Sequence, residues 1–471
     1  MLVAWFSQKT FGAVLSVWET LLFLYLMGYT VFLFASVVVG SNQLLKDTKR
    51  KQLKNEIHHD YYVPVSIIVP AYNEELTILS TIQSLLHLDY KLYEIIIVND
   101  GSQDCTADLV VETFGLHPVY RPIHRQVPCQ DVRTVYEGKS ENKISITLID
   151  KKNGGKADAI NMGINVAKYP YFICMDADSI LQKDSLTKIV VPVLENQNVI
   201  AVGSMIRILN DSTFENGQLV QLRLPKKWLP AFQVLEYERS FLTSRILLDY
   251  FNANLIISGA FGLFKKDAVI QVGGYQVGCI GEDMELIMKL HAYYRAHALP
   301  YRIKYTHDAV CWTQAPEKLQ DFIRQRRRWH IGLMQSMFRH IAVAGKFSYF
   351  YYLFYELFSP MIELCGIIMT LLACWLDRLQ PASVLCMALA YAMFGTLLTI
   401  LPYLVRKYLS DTRLSYRDVI RTVLVCIPEN VGLHLVLVGT RLLAMFKYRG
   451  QKVSWGEITR YQIRYQSNQG E

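Results

Sequence analysis

Residues 65–102 read VSIIVPAYNEELTILSTIQSLLHLDYKLYEIIIVNDGS. Two short apolar runs, VSIIVP and YEIIIV, stand on either side of a helix-like stretch, and each ends in polar residues. A third run of this kind, YFICM at 171–175, ends in DADS. Strands apolar at consecutive positions are buried on both faces, the habit of parallel sheets. Their alternation with helix-like segments over residues from about 61 to 320 predicts an α/β domain built on a parallel sheet. In such a domain ligands bind beyond the carboxyl ends of the strands. Asn73, Asp100 and Asp176 fall there.

Outside this block the chain changes character. Hydrophobic residues make up 52% of the 471 and charged ones 19%, against about 25% charged in ordinary soluble chains. A positive mean hydropathy shows that the apolar residues are pooled. The stretch LLFLYLMGYTVFLFASVVVG at 21–40 alone is long enough to cross about 30 Å of hydrocarbon. It has neither the basic start nor the small-residue cleavage site of a signal peptide. It gives way to Lys46, Lys49, Arg50, Lys51 and Lys54, so the expectation is a transmembrane helix over 11–42, with the N-terminus outside and the following domain, 60–320, in the cytoplasm.

Amphipathic interfacial helices are expected over 321–345 and a membrane region over 350–446. Apolar runs at 350–376 and 382–405, joined by DRLQPA, suggest a helical hairpin. The run at 418–446 carries Arg421, is broken by Pro428, Glu429 and Asn430, and precedes a basic tail, 447–471, with Lys447, Arg449, Lys452 and Arg460. A plain crossing would put that tail outside, so a bent or re-entrant segment returning to the cytoplasm is expected.

The net charge of +8 sits beside apolar segments and not in an aromatic-interleaved patch, which argues against nucleic-acid binding. The nine cysteines form no CxxC pair or zinc-like spacing and read as reduced core or membrane residues.

Five short motifs carry chemistry. VPAYNEE puts Asn73 and Glu74 at a strand tip. IIIVNDGS puts Asp100 and Ser102 where they can accept hydrogen bonds from a base or ribose, or simply cap a strand-to-helix turn. In MDADS, Asp176 and Asp178 lie one residue apart. Such carboxylates repel unless a cation sits between them, and hard oxygen ligands suit Mg²⁺ or Mn²⁺; the alternative is a solvated turn.

GGYQVGCIGEDMELIMKL at 273–290 turns from a glycine-rich loop into a helix led by Glu282 and Asp283. Acidic residues there are favoured by the helix dipole, and a carboxylate near a sugar donor could also take a proton from an acceptor hydroxyl. FIRQRRRWHIG at 322–332 reads as a basic, aromatic interfacial helix, with Arg326 and Arg327 as anchors. Gln325, Arg328 and Trp329, spaced i, i+3 and i+4, share one face, suited to a pyrophosphate and a sugar ring.

The order VPAYNE, NDGS, MDADS, SGAFG, GED and QRRRW between membrane helices resembles the processive family-2 glycosyltransferases. These are the poly-N-acetylglucosamine, hyaluronan, chitin-oligosaccharide and cellulose synthases, which share a cytoplasmic GT-A nucleotide-sugar-binding domain. The resemblance covers roughly residues 60 to 345. GGKADAIN and the single-chain layout look most like the poly-N-acetylglucosamine synthases.

By motif, the resemblance implies that Asp100 contacts uridine, with Glu74 also at the nucleotide, and that Asp176 and Asp178 hold UDP and its metal. Lys156, otherwise a solvated lysine, and Arg328 would meet the donor phosphates. Asp283 would be the general base. Ser258, Gly259, Ala260, Glu282, Gln325 and Trp329 would serve the growing polysaccharide acceptor. GED stands where TED is commoner, and residues 116–143 have no assignment. The implied activity is polymerisation of a UDP-sugar, foremost UDP-N-acetylglucosamine, at the plasma membrane with extrusion of the product. Rival readings are a transferase adding one sugar to a lipid, and a non-catalytic membrane scaffold, which would typically have lost Asp178, Asp283 or Trp329.

Overall fold

The apolar runs become neighbours in one ten-stranded sheet. In the computed structural model, which describes residues 2–54, 62–215, 218–221, 223–343, 347–409 and 416–446, β1 (Val65–Ala71) pairs in parallel with β2 (Tyr93–Asn99) and with β6 (Tyr171–Met175). β5 (Ser145–Lys151) pairs in parallel with β2. Helices α2 (Ile78–Leu86), α3 (Thr106–Phe114) and α4 (Lys156–Val166) make the connections. α4 lies flat on the sheet, with Gly163 so close to β1 that a Cβ there would meet Ile68 Cγ2 at 2.3 Å.

The sheet is mixed and not parallel throughout. β3 (His117–Val119) and β4 (Val132–Lys139) form an antiparallel edge against β5, which gives the unassigned stretch 116–143 its place. β4 is mostly half-buried, with Val135 its one fully buried residue. The loop between them is held by Asn165, whose Oδ1 accepts the Gln126 and Val127 amides, each at 2.9 Å. Beyond β6, β11 (Phe261–Lys265) runs antiparallel between β6 and β8 (Val199–Ile208). β12 (Arg302–Thr313) pairs in parallel with β8, and β7 (Ile180–Leu181) closes that edge. Short helices α5 (Ser185–Ile189) and α6 (Val191–Glu195) and a separate ribbon, β9 (Thr213–Glu215) and β10 (Gln218–Gln221), fill the excursion around β8.

Around this domain the helices are long and apolar. α1 spans Leu2–Lys54, and within it Ser16–Lys46 is long and apolar enough to cross a membrane. α1 packs on a π-helical turn at Ser240–Ser244, which follows α7 (Trp228–Arg239), and on α8 (Arg245–Tyr250). A Cβ on Gly40 would lie 2.3 Å from the Leu242 carbonyl oxygen. After α9 (Lys266–Gln271), α10 (Glu282–Ala296) packs Leu286, Ile287 and Leu290 on the sheet, and α11 (Leu319–Arg339) packs on α10 and α16.

α12 (Phe347–Tyr351), with its π-helical extension to Leu357, and α13 (Ser359–Trp375) form a pair bent by 52°. Where the sequence suggested one crossing over 350–376, the chain bends as Pro360, which has no N–H to bond backwards, opens the new helix. α14 (Pro381–Leu409) contains the second helix able to cross, Pro381–Leu404.

The third apolar run is α15 (Tyr416–Pro428), a π-helical turn at Glu429–Leu433, and α16 (His434–Phe446). Its awkward residues have partners. Arg421 donates to the Leu224 and Pro225 carbonyls at 3.3 and 2.6 Å. Glu429 meets Arg239 at 3.1 Å, and Arg239 also reaches Thr399 at 2.8 Å. The basic tail, 447–471, lies outside the described residues.

Candidate active site

The carboxyl ends of β1, β2 and β6 open on one side of the sheet. Leaving β1, Asn73 takes a left-handed conformation, φ 55°, which asparagine tolerates. Its amide donates to Ser102 Oγ at 3.0 Å and its Oδ1 accepts the Gln103 amide at 2.9 Å, locking the two strand tips together. Glu74 is buried and accepts the Thr77 hydroxyl at 2.7 Å.

Asp100, after β2, is buried and committed to the 153–156 loop. Its Oδ1 accepts the Gly154 amide at 3.0 Å and an ammonium hydrogen of Lys151, and its Oδ2 accepts the Gly155 amide at 2.7 Å. Gly155 has φ +88°, open to glycine. Burial raises the Asp100 carboxyl above its ordinary value, against the opposing pull of Lys151 and the two amides. Lys151 is itself fully buried and also bonds Asp158 at 2.6 Å.

That loop delivers Lys156 as the first residue of α4. Its Nζ is 2.5 Å from Asp176 Oδ1 and 3.5 Å from Glu282 Oε1, so it is an enclosed lysine and not a solvated one. Burial works against its charge, but the two carboxylates outweigh it and hold Lys156 protonated, its pKa above the usual lysine value. Asp178, two residues beyond Asp176, is pushed up to about 6, first by burial and then by the Asp176 charge.

Across the cavity, Asp283 sits in the first turn of α10. Its Oδ2 accepts the Gly259 amide at 3.2 Å and its Oδ1 the Met284 amide at 2.8 Å. Beside it, burial raises the Glu282 carboxyl; Lys156 opposes this and Asp283 adds to it.

α11 presents Gln325, Arg328 and Trp329 to the same space. The Trp329 ring is 41% exposed, so its outer face is free to receive a ring. Gln325 Oε1 is buried and has no hydrogen-bond partner among the described residues. Arg326 departs from the anchor expected of it. It is buried, forms a two-pronged pair with Glu236 of α7 at 2.7 Å for both contacts, and stacks on Trp329 at 4.4 Å. Removing one partner of a buried pair strands the other. Arg326→Ala is expected to destabilise the protein by about 3 kcal/mol, read as a lowered melting temperature in detergent.

Glu74, Asp100, Lys156, Asp176, Asp178, Ser258, Gly259, Ala260, Glu282, Asp283, Gln325, Arg328 and Trp329 all line one cavity of about 2400 Å³. It continues from the strand tips to Tyr25 and Tyr29 of α1, Glu363 of α13, Tyr391 of α14 and His434 of α16. Sequence reasoning missed Lys151 and Asp158, and Glu236 with Arg326. The one available signal was a lysine closing the apolar strand run ISITLIDK, an odd place for a charge.

Asp176 and Asp178 fit a hard divalent cation. They are oxygen donors on one turn, and Asp178 is raised first by burial and then by the Asp176 charge, with Lys156 opposing. Among the described residues no group of three or more histidine, cysteine, aspartate or glutamate side chains could hold a metal. A pair of carboxylates is the number that Mg²⁺ commonly takes from a protein, its sphere being filled by substrate phosphates and water.

A family model described as "Glycosyltransferase like family 2" matches residues 63–332, and the chain belongs to that family: it is a glycosyltransferase whose mixed sheet and crossing helices make a GT-A-type domain beside membrane-type helices. Among its relatives, the poly-beta-1,6-N-acetyl-D-glucosamine synthase of Staphylococcus aureus (strain COL) is 30% identical over 353 residues, 74% of each chain. The synthase of the same name from Staphylococcus epidermidis is 30% identical over 323 residues, 68% of this chain and 67% of that one. Among solved structures, the mannosyltransferase PcManGT from Pyrobaculum calidifontis, in complex with GDP-Man and Mn²⁺, aligns with a TM-score of 0.47 at 20% identity, over 82% of this chain and 99% of that one.

Proposed function

We propose that the protein polymerises N-acetylglucosamine from UDP-N-acetylglucosamine at the cytoplasmic face of the plasma membrane and passes the growing chain outward between its own helices. The observation that carries this is the continuity of the cavity from the carboxylates at the strand tips to tyrosines and polar groups of α1, α13, α14 and α16. Aromatic faces and hydrogen-bonding side chains are the surfaces on which sugar rings slide. The choice of sugar rests on the two staphylococcal relatives.

In this reading Lys156 and Arg328 hold the donor diphosphate, and Asp176 and Asp178 would hold Mg²⁺ or Mn²⁺. When bound there, the cation supplies the positive charge that stabilises UDP as a leaving group. Trp329 offers its outer face to the terminal sugar of the acceptor, with Gln325 one turn before it on the same face of α11. Ser258, Gly259 and Ala260 border the entrance. Asp283, held by the Gly259 and Met284 amides, takes the proton of the attacking hydroxyl as its oxygen bonds to the anomeric carbon from the face opposite UDP, inverting that centre.

The test is to incubate purified protein with a panel of UDP-sugars and Mg²⁺ or Mn²⁺, measuring UDP release and product size. UDP-N-acetylglucosamine should be consumed into long chains. A single addition to lipid would mark a lipid transferase, and no UDP release a scaffold. Ala388 lies on the membrane stretch of the cavity. Ala388→Trp is expected to shorten the product severely while early UDP release continues, since it narrows the exit and leaves the chemistry untouched; an unchanged chain length would place the exit elsewhere.

The same reading fixes topology, with residues 11–42 crossing inward, 60–320 cytoplasmic and the third run returning the tail to the cytoplasm. Reporters at residue 60 and after Lys447 should be cytoplasmic, and one near residue 379, in the turn between α13 and α14, exterior. An exterior tail would make the third run an ordinary crossing.

A further inference from the structure

Two glycines touch where the site's two halves meet. A Cβ on Gly281, the first residue of GED, would lie 2.8 Å from Gly332 Cα; one on Gly332, a turn past QRRRW, would lie 2.7 Å from Gly281 Cα. Gly281 has φ −109° and ψ 58°, outside the left-handed region that favours glycine, so what the position lacks is space. Gly332 lies inside α11, where glycine is less favourable than alanine, so packing and not backbone freedom explains it. The contact is backbone on backbone, which no side chain can relieve by turning aside.

A second tie lies one turn further along α11. Gln335 Oε1 accepts the Ile280 amide at 3.0 Å, bonding the residue before GED to the helix that carries Gln325, Arg328 and Trp329. A third, between His340 and Glu285 at 3.0 Å, joins the two helices below.

We propose that Gly332 and Gln335 are positioning residues. They seat the turn bearing Asp283 directly on α11, so that the proton acceptor and the surface receiving the acceptor sugar keep one fixed separation. A side chain at 281 would push α10 off α11. The inference rests on Asp283 as the base. An ångström of misplacement between reacting groups lowers the rate by as much as about 10²-fold, while Lys156 keeps its closer pair with Asp176, 2.5 Å against 3.5 Å to Glu282 of α10.

The experiment compares Gly332→Ala, Gln335→Leu and Gln335→Glu with wild type and Asp283→Asn, reading kcat for polymer formation and, separately, UDP affinity by calorimetry. Gly332→Ala and Gln335→Leu should lower kcat on the order of tenfold or more with UDP affinity nearly unchanged. Gln335→Glu, which keeps the accepting oxygen, should restore most of the rate. If Asp283→Asn is inactive while Gly332→Ala and Gln335→Leu turn over normally, or if Gln335→Glu is as poor as Gln335→Leu, the positioning role is overturned and the base is not. If Asp283→Asn keeps wild-type turnover, the base assignment fails first.

Discussion

Asp283→Asn is expected to lower the rate constant for transfer by about 10² to 10⁴ while UDP binding stays close to wild type. The side chain is pinned by the Gly259 and Met284 amides. An asparagine oxygen can keep accepting from at least one of them, so the geometry largely survives and basicity is what disappears. Donor affinity is expected to reside elsewhere, in Lys156, which is paired with Asp176, and in Arg328.

Arg328→Ala gives the contrast. Losing a guanidinium held against a pyrophosphate weakens donor binding along with turnover. The pair of measurements therefore separates a base from a helix cap. If Asp283→Asn weakened UDP affinity as much as it slowed turnover, Asp283 would be capping α10, as acidic residues in a first helical turn commonly do, and the base would lie elsewhere.

The half of the domain that was legible in the sequence is the half whose buried strands run in parallel and end in polar tips. β1, β2 and β6 announce themselves as apolar runs ending in polar tips, and those tips open on the cavity. The antiparallel strands were not legible because direction leaves no mark on an apolar run. FGLFK of β11 and the long β8 look like any buried strand, and only the pairing of β11 with both β6 and β8 reveals the reversal.

The site followed the same rule. Asp176 with Asp178, Glu282 with Asp283, and Gln325 with Arg328 and Trp329 are neighbours in sequence, so their shared chemistry shows in a short window. Asp100 and Lys151 are 51 residues apart, and Glu236 and Arg326 are 90 apart. Each charge looks solvated until the fold buries it against its partner. Arg326 is the instructive case: a basic residue beside a tryptophan on an amphipathic helix suggests lipid, yet it faces inward and supports the ring that Trp329 offers to the cavity.

Asp178→Asn is expected to abolish transfer, and EDTA should do the same to the wild-type protein, with Mn²⁺ restoring the wild type alone. A neutral amide is a poor ligand for a hard cation, and losing the charge that holds the metal against a leaving diphosphate removes several kcal/mol of transition-state stabilisation. Stability separates a ligand from a structural carboxylate. In the metal-free protein burial and Asp176 push Asp178 up to about 6, so ionising it disfavours the folded state. That penalty is absent at pH low enough for the group to be protonated both folded and unfolded, grows as pH rises from the ordinary carboxylate value toward about 6, and is constant above. In EDTA the asparagine variant should therefore melt no lower than wild type near neutral pH, and higher if the whole penalty is relieved, with no gain near pH 4. A carboxylate that held the fold together would show the opposite sign. Full turnover by Asp178→Asn in EDTA would show that the reaction needs no metal at this pair of carboxylates.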